Sequence, residues 1–191
     1  MNFLEKSSTK KSESPVSRTI LKGDIMSETK ENLKNAFAGE SQANRKYLAF
    51  AKKADEEGKT ELAKLFRAAA SGETIHAMNH LKTLEGIKSS EENVKEAIDG
   101  ESYEINEMYP KFIEKAKEEN NFEAVKVFKW ALEVEKIHNN LFKEVLEKLK
   151  NNESLNGKKY FYVCKQCGYP SKGKVPEICP VCGFKEFMAI E

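Results

Sequence analysis

From residue 27 to residue 150, apolar positions recur at the three- and four-residue spacing of amphipathic helices, in four blocks. The first opens at Ser27, with Lys30 and Glu31 behind it, and closes at Glu57-Gly58. The second runs from Thr60 to about Leu84 and is ended by Gly86. The third starts at Ser90 and reaches Asn120-Asn121; the fourth fades at Asn151-Asn152. Asn156-Gly157 marks a turn, after which the β-formers Tyr160, Phe161, Tyr162 and Val163 lead into a cysteine cluster. The pattern predicts an all-α four-helix domain over 27–150, a linker over 151–158 and a small β knuckle over 159–191. That knuckle is too small to fold without a staple. Residues 1–26, rich in Ser and Lys, are expected to form a flexible tail. They lack the apolar core of a secretory signal, and Glu5, Glu13 and Asp24 argue against a transit peptide. Met26 is a candidate second start.

Listing the residues on the buried face of each helix brings out the chemistry. The first helix gives Leu33, Phe37, Glu40, Asn44, Tyr47 and Ala51, and the second Leu62, Phe66, Ala69, Glu73, His76, His80 and Leu84. The third gives Val94, Ala97, Glu101, Glu104, Met108 and Phe112, and the fourth Phe128, Ala131, Glu135, His138, Phe142, Val145 and Leu149. Each helix thus points a carboxylate at a shared, dry interior. An unpaired buried carboxylate costs several kcal/mol, so five of them are intolerable against a total stability of ~5–15 kcal/mol. Either the helices turn these residues outward, or cations neutralise them.

The spacing supports cations over chance. Glu73-Thr-Ile-His76 and Glu135-Lys-Ile-His138 both place carboxylate and imidazole one turn apart on one helix face. Gly39-Glu40-Ser41 precedes the first and Gly100-Glu101-Ser102 the second, so one helical hairpin is used twice. Five carboxylates and two imidazoles are hard-to-borderline donors that suit iron or manganese. Seven side chains are too many for one ion and suit two with bridging carboxylates. One Glu from each of two helices plus Glu-x-x-His from the other two is the ferritin-like di-iron set. Glu104 is surplus to it. Tyr47 and Tyr109 are candidate hydrogen-bond donors to the cluster, His80 a core or supporting residue, Trp130 core or interface, and Met108 packing.

Charge and composition narrow the alternatives. Thirty-two basic against 31 acidic residues give a net charge of +1, without the basic excess of a nucleic-acid binder. No stretch of 18 apolar residues exists to cross a membrane. The four cysteines, Cys164, Cys167, Cys179 and Cys182, form two Cys-x-x-Cys turns that together can hold one tetrahedral metal ion. Their clustering predicts a metal site in a reducing compartment, the cytoplasm, and zinc remains open to four thiolates.

The knuckle's Cys167-Gly168-Tyr169, its Cys-Pro-x-Cys-Gly ending at Gly183, and the flanking Tyr162, Phe184 and Phe187 resemble rubredoxin, which binds one iron. A di-iron-type helical domain followed by such a knuckle resembles the rubrerythrin family over about 27–191. Ala38-Gly39-Glu40-Ser41-Gln42, Gly100-Glu101-Ser102-Tyr103-Glu104 and Glu107-Met108-Tyr109-Pro110 look like that family's signatures. The resemblance implies reduction of hydrogen peroxide to water in oxidative-stress defence. It implies that Glu40, Glu73, His76, Glu101, Glu104, Glu135 and His138 hold two irons, with Glu104 and His76 exchanging at one of them. The four cysteines would hold a third iron, supplied with electrons by a rubredoxin or its nicotinamide-fed reductase. A ferroxidase or iron-handling protein with a structural zinc knuckle is the rival reading, and a helical interaction module with a zinc ribbon a more distant one.

In a ferritin-like bundle the second and third helices run parallel, so their link must return along the bundle. About six residues between Leu84 and Ser90 reach ~20 Å, whereas the return needs ~33 Å. Either those helices are antiparallel neighbours, or the hairpins join different bundles in a domain-swapped homodimer. The swap preserves the ligand arrangement and is the expectation adopted.

Overall fold

The computed structural model describes residues 22–155 and 161–190. Of the tail expected over 1–26, residues 1–21 lie outside the described residues, as do the Asn156-Gly157 turn and Tyr160, whereas residues 22–26 are helical. The chain divides at Gly86/Ile87 into two compact units.

The first unit is a hairpin of α1 (Lys22–Glu56) and α2 (Thr60–Thr83). Helix α1 begins five residues before Ser27, because extending an established helix adds a hydrogen bond for each residue fixed. The seam between the rods is lined by small residues, Ala51, Ala54, Ala63, Ala70 and Ala77, all buried. Such residues let two helices approach closely, yet they hide little apolar area.

The second unit repeats the hairpin and adds the knuckle. One rod comprises α3 (Ser90–Tyr103), a π-helical turn (Glu104–Met108) and α4 (Tyr109–Glu118); the other is α5 (Phe122–Lys150). Ile113, Ala116 and Val125 form its core, with Phe128 and Leu132 packed against them. Ser89, one residue before the expected start, caps α3: its hydroxyl accepts from the Glu92 backbone and the Glu92 carboxylate answers the Ser89 backbone. Helix α2 ends with Glu85, not Gly86, in the left-handed conformation at φ 55°. Gly86 has a different use: a Cβ there would meet Leu81 Cδ1 at 2.5 Å.

The π-helical turn has a cause in the repeat. Glu40 precedes Glu73 by 33 residues and Glu101 precedes Glu135 by 34. The added residue falls between Ser102 and Tyr109, and the wider turn absorbs it. Beyond it the two hairpins are again in step. Tyr47 and Phe50 lie 6.1 and 5.5 Å from Phe66, and Tyr109 and Phe112 lie 6.3 and 5.6 Å from Phe128.

In the knuckle, β1 (Phe161–Cys164) is the centre of an antiparallel sheet ordered β2-β1-β3, with β2 (Pro170–Lys172) and β3 (Phe187–Ile190) at the edges. Cys164 pairs with Phe187 and Phe161 with Lys172. The sheet lies against the second hairpin, where Phe161, Val163, Pro170 and Ile190 face Leu141, Phe142 and Val145 across a cavity of about 420 Å³. Lys172 Nζ reaches both Glu144 carboxylate oxygens, at 2.7 and 2.8 Å.

Candidate metal centre

Six of the seven side chains expected at a shared interior form two groups, one on each hairpin. Glu40, Glu73 and His76 make one, Glu101, Glu135 and His138 the other. Within each group, every residue offers a ligand atom within 4.8 Å of the others. The internal geometry repeats. His76 Nδ1 is 2.9 Å from Glu73 Oε2 on its own helix and 3.9 Å from Glu40 Oε1 on the opposite one. His138 Nδ1 is 2.7 Å from Glu135 and 3.8 Å from Glu101. Helix periodicity sets the short contact, since residues three apart share a face, and antiparallel pairing sets the long one.

Neither group is dry, which corrects the expectation. The Glu73 and Glu135 side chains are mostly covered, but the imidazole of His76 is 57% exposed. A pair of helices hides only its seam, and the ligand residues flank that seam. Glu104 stands outside the close group of the second hairpin and lies within electrostatic reach of Glu135 and His138. Tyr47 and Tyr109 are half-buried in the two aromatic triads, and His80 is half-buried. Trp130 is half-buried beneath the Lys126 ammonium, 5.5 Å from its ring.

The second group shows the strain of uncompensated charge. Burial, then the Glu135 carboxylate beside it, pushes Glu101 up to about 7. Its Oε2 is buried with no hydrogen-bond partner. Burial and Glu135 also raise Glu104, and burial raises Tyr109. The hydrogen bond between Glu135 and His138 pulls the carboxylate down and the imidazole up. An orphaned carboxylate oxygen next to a second carboxylate and an imidazole fits a metal cation, which would supply the missing positive charge.

The knuckle is built for a metal as well. Cys164 Sγ lies 3.6 Å from Cys182 Sγ, and Cys167 Sγ 3.6 Å from Cys179 Sγ. Four sulfurs at ~2.3 Å from a central ion sit at about this separation. Each Cys-x-x-Cys turn closes on a glycine whose backbone N–H donates to the first cysteine's carbonyl, Gly168 to Cys164 and Gly183 to Cys179. Both glycines have positive φ, 84° and 78°, which a side chain would resist. For Cys164, burial acts against ionisation, but the N–H groups of Cys167 and Gln166 and the neighbouring Cys182 and Cys179 side chains together lower the thiol. Burial raises Cys167.

Comparison with known proteins matches this architecture. The rubrerythrin family model matches residues 31–146. The chain belongs to the rubrerythrin family. It is 35% identical to rubrerythrin-2 of Clostridium acetobutylicum, over 83% of this chain and 93% of that protein. It is 38% identical to nigerythrin of Nitratidesulfovibrio vulgaris, over 81% of each. Structures of nigerythrin in mixed-valence and partially reduced states align with TM-scores of 0.50 at 36% identity, covering 85% of this chain and 86% of theirs. Membership makes this a ferritin-like oxidoreductase with a di-iron site of Glu and His groups and a rubredoxin-like four-cysteine iron site. Among the described residues, no helix is long and apolar enough to cross a membrane.

The sequence pattern does not disclose the π-helical turn, the buried Asn139, or the hydrogen bonds that Asn44 makes across its hairpin. The difference between 33 and 34 residues was the only signal of the first. Asn44 stood on a buried face; nothing marked Asn139.

Proposed function

We propose that this protein is a cytoplasmic non-haem di-iron peroxidase that reduces hydrogen peroxide to water. Its electrons come through the four-cysteine site from a donor protein such as a rubredoxin or its NAD(P)H-linked reductase. Glu40, Glu73, His76, Glu101, Glu104, Glu135 and His138 would hold the iron pair, and Cys164, Cys167, Cys179 and Cys182 the third iron. When bound, the ferrous pair supplies the two electrons that cleave the O–O bond. The observation that carries the reading is the twinned Glu, Glu and His group with Glu104 as a surplus carboxylate beside the second. Glu104, a surplus carboxylate, would compensate part of the positive charge the pair gains on oxidation if it took the place of His76.

The protein's own groups manage protons. Burial, then the Glu135 carboxylate, raises the Glu104 carboxyl above its ordinary value, so Glu104, when it is not holding iron, is placed to pass a proton to a leaving oxygen. Tyr109, in the same half-buried pocket of charge, keeps its phenolic proton and can donate a hydrogen bond from Oη. Tyr47 is the equivalent donor in the first hairpin.

Ligands from both hairpins must meet for this chemistry, and the link of residues 84–89 is too short for a parallel return. The arrangement that satisfies both is a homodimer in which each centre takes one hairpin from each chain. A monomeric mass by light scattering, with the iron pair retained, would rule out the exchange. The activity is tested by anaerobic mixing of reduced protein with peroxide or with oxygen. Faster reoxidation by peroxide is expected. Much faster reoxidation by oxygen, with zinc in the knuckle, would instead identify a ferroxidase.

A further inference from the structure

We infer that Asn44 and Asn139 are positioning residues that lock, from inside each hairpin, the register at which its ligand carboxylates face one another. The inference rests on reading the two Glu, Glu and His groups as halves of the metal centre. Asn44 and Asn139 are 6% and 4% exposed, and with Ser171 they are the buried polar residues among those described. Asn44 on α1 donates from Nδ2 to the Ala70 carbonyl at 2.7 Å and to Thr74 Oγ1 at 2.8 Å, both on α2. Thr74 Oγ1 donates in turn to the Ala70 carbonyl at 3.1 Å. Asn139 on α5 donates to the Ile98 carbonyl at 3.0 Å and to Ser102 Oγ at 2.9 Å, both on α3. Ser102 Oγ donates to the Ile98 carbonyl at 2.6 Å.

The two triangles occupy the same place relative to the ligands. Each asparagine stands four residues after one ligand, Glu40 or Glu135. It grips the opposite helix at the carbonyl three residues before the other ligand and the hydroxyl one residue after it, bracketing Glu73 and Glu101. Copying of the repeat does not account for this, because the asparagine lies on the first helix of one hairpin and the second helix of the other. Lys136 and Ala77 stand at the repeat equivalents of Thr74 and Asn139. The same clamp has been built twice with the helices' roles exchanged.

An asparagine inside a helix is a poor helix former, and a serine or threonine bonded back to the preceding turn slightly destabilises one. What such buried polar contacts supply is register. A seam of alanines can slide, and a slip of one residue moves a ligand by ~1.5 Å. Metal–ligand distances tolerate about 0.2 Å.

The test uses metal-free full-length protein titrated with cobalt(II), whose visible bands report coordination, alongside the thermal midpoint without metal. Asn44→Ala and Asn139→Ala should each weaken loading of the carboxylate sites about tenfold or more and alter the bands, with the thiolate site unaffected. Thr74→Val and Ser102→Ala should weaken it less, and Thr74→Ser and Ser102→Thr should restore it. Those hydroxyl variants decide the matter if the asparagine variants do not fold. Unchanged affinity and bands in Asn44→Ala and Asn139→Ala would overturn the inference, as would Thr74→Ser behaving like Thr74→Val. Wild-type protein that loads no metal at its carboxylates would remove the half-site reading itself, a distinguishable failure.

Discussion

In the first hairpin the ligand imidazole is 57% exposed and in the second 34%, although the Nδ1-to-carboxylate distances of the two groups agree within about 0.2 Å. The second hairpin adds Glu104, the π-helical turn and the knuckle packed along α5. One ligand pattern therefore sits in two electrostatic settings. Helix periodicity fixes which atoms meet; the surrounding chain decides how strongly each group resists its charge. In the second hairpin that resistance is visible as a raised Glu101 with an orphaned oxygen.

The equivalence of the two halves is the first thing to break. Glu73→Ala and Glu135→Ala should each remove the iron pair altogether and leave one iron per chain in the four-cysteine site. Elemental analysis reads this directly. If one variant retained a full pair, the halves would not be equivalent ligands. The special status of the second half is tested next by Glu104→Gln, which keeps the shape but cannot move a proton. Peroxide turnover should fall by about 100-fold or more while iron content holds. His76→Ala, in the exposed half, should slow cycling more than it weakens metal binding.

Much of this is legible in the sequence, and the limits have physical reasons. Glu-x-x-His is legible because three residues always share a helix face, whatever surrounds the helix. The knuckle is legible because Cys-x-x-Cys-Gly fixes both the ligand atoms and the turn. The extra residue of the second hairpin showed only as a spacing of 34 instead of 33. A longer connecting turn gives the same count, so only the backbone places it at Glu104–Met108. Asn139 was illegible for another reason. Between His138 and Asn140 it reads as one more polar position, and its value lies in acceptors, Ile98 and Ser102, roughly forty residues away. The pattern places the helix stop at Gly86, yet Glu85 adopts the left-handed turn and Gly86 makes room for Leu81.

Two smaller effects sharpen the contrast. Deleting Ile105 gives the second hairpin the spacing of the first and lets the π-helical turn close into α-helix. Amide exchange over 106–109 should slow, with Tyr109 and Phe112 still packed on Phe128. The second effect concerns pH in the metal-free protein. Glu101 titrates at about 7 in the folded chain against 4.5 ordinarily. A carboxyl raised on folding favours the folded state fully below its ordinary value, and that contribution is lost as pH rises from 4.5 to about 7. His138, also raised, loses its contribution in the same direction. The thermal midpoint should therefore fall over this window by on the order of a few degrees. Glu101→Gln should flatten the dependence, and metal loading should reverse its sign because bound cations favour the ionised carboxylates.

The smallest effect concerns why the knuckle packs on the second hairpin. Lys172 meets Glu144, whose carboxylate is held below its ordinary range by Lys172 first and Lys148 second. At the repeat-equivalent position the first hairpin carries Lys82, which would repel Lys172. An exposed ion pair contributes little to stability, so its expected effect is to favour this hairpin slightly, on top of the apolar contact of Phe161, Val163 and Ile190 with α5. Lys172→Glu should speed amide exchange in β2 and along the facing turn of α5 by no more than a few-fold, and Glu144→Lys should do the same. Combining both reversals should restore the wild-type rates. Near 1 M salt, where charges are screened within ~3 Å, all four proteins should coincide. A double variant as loose as either single one would mean that the apolar contact alone chooses the hairpin.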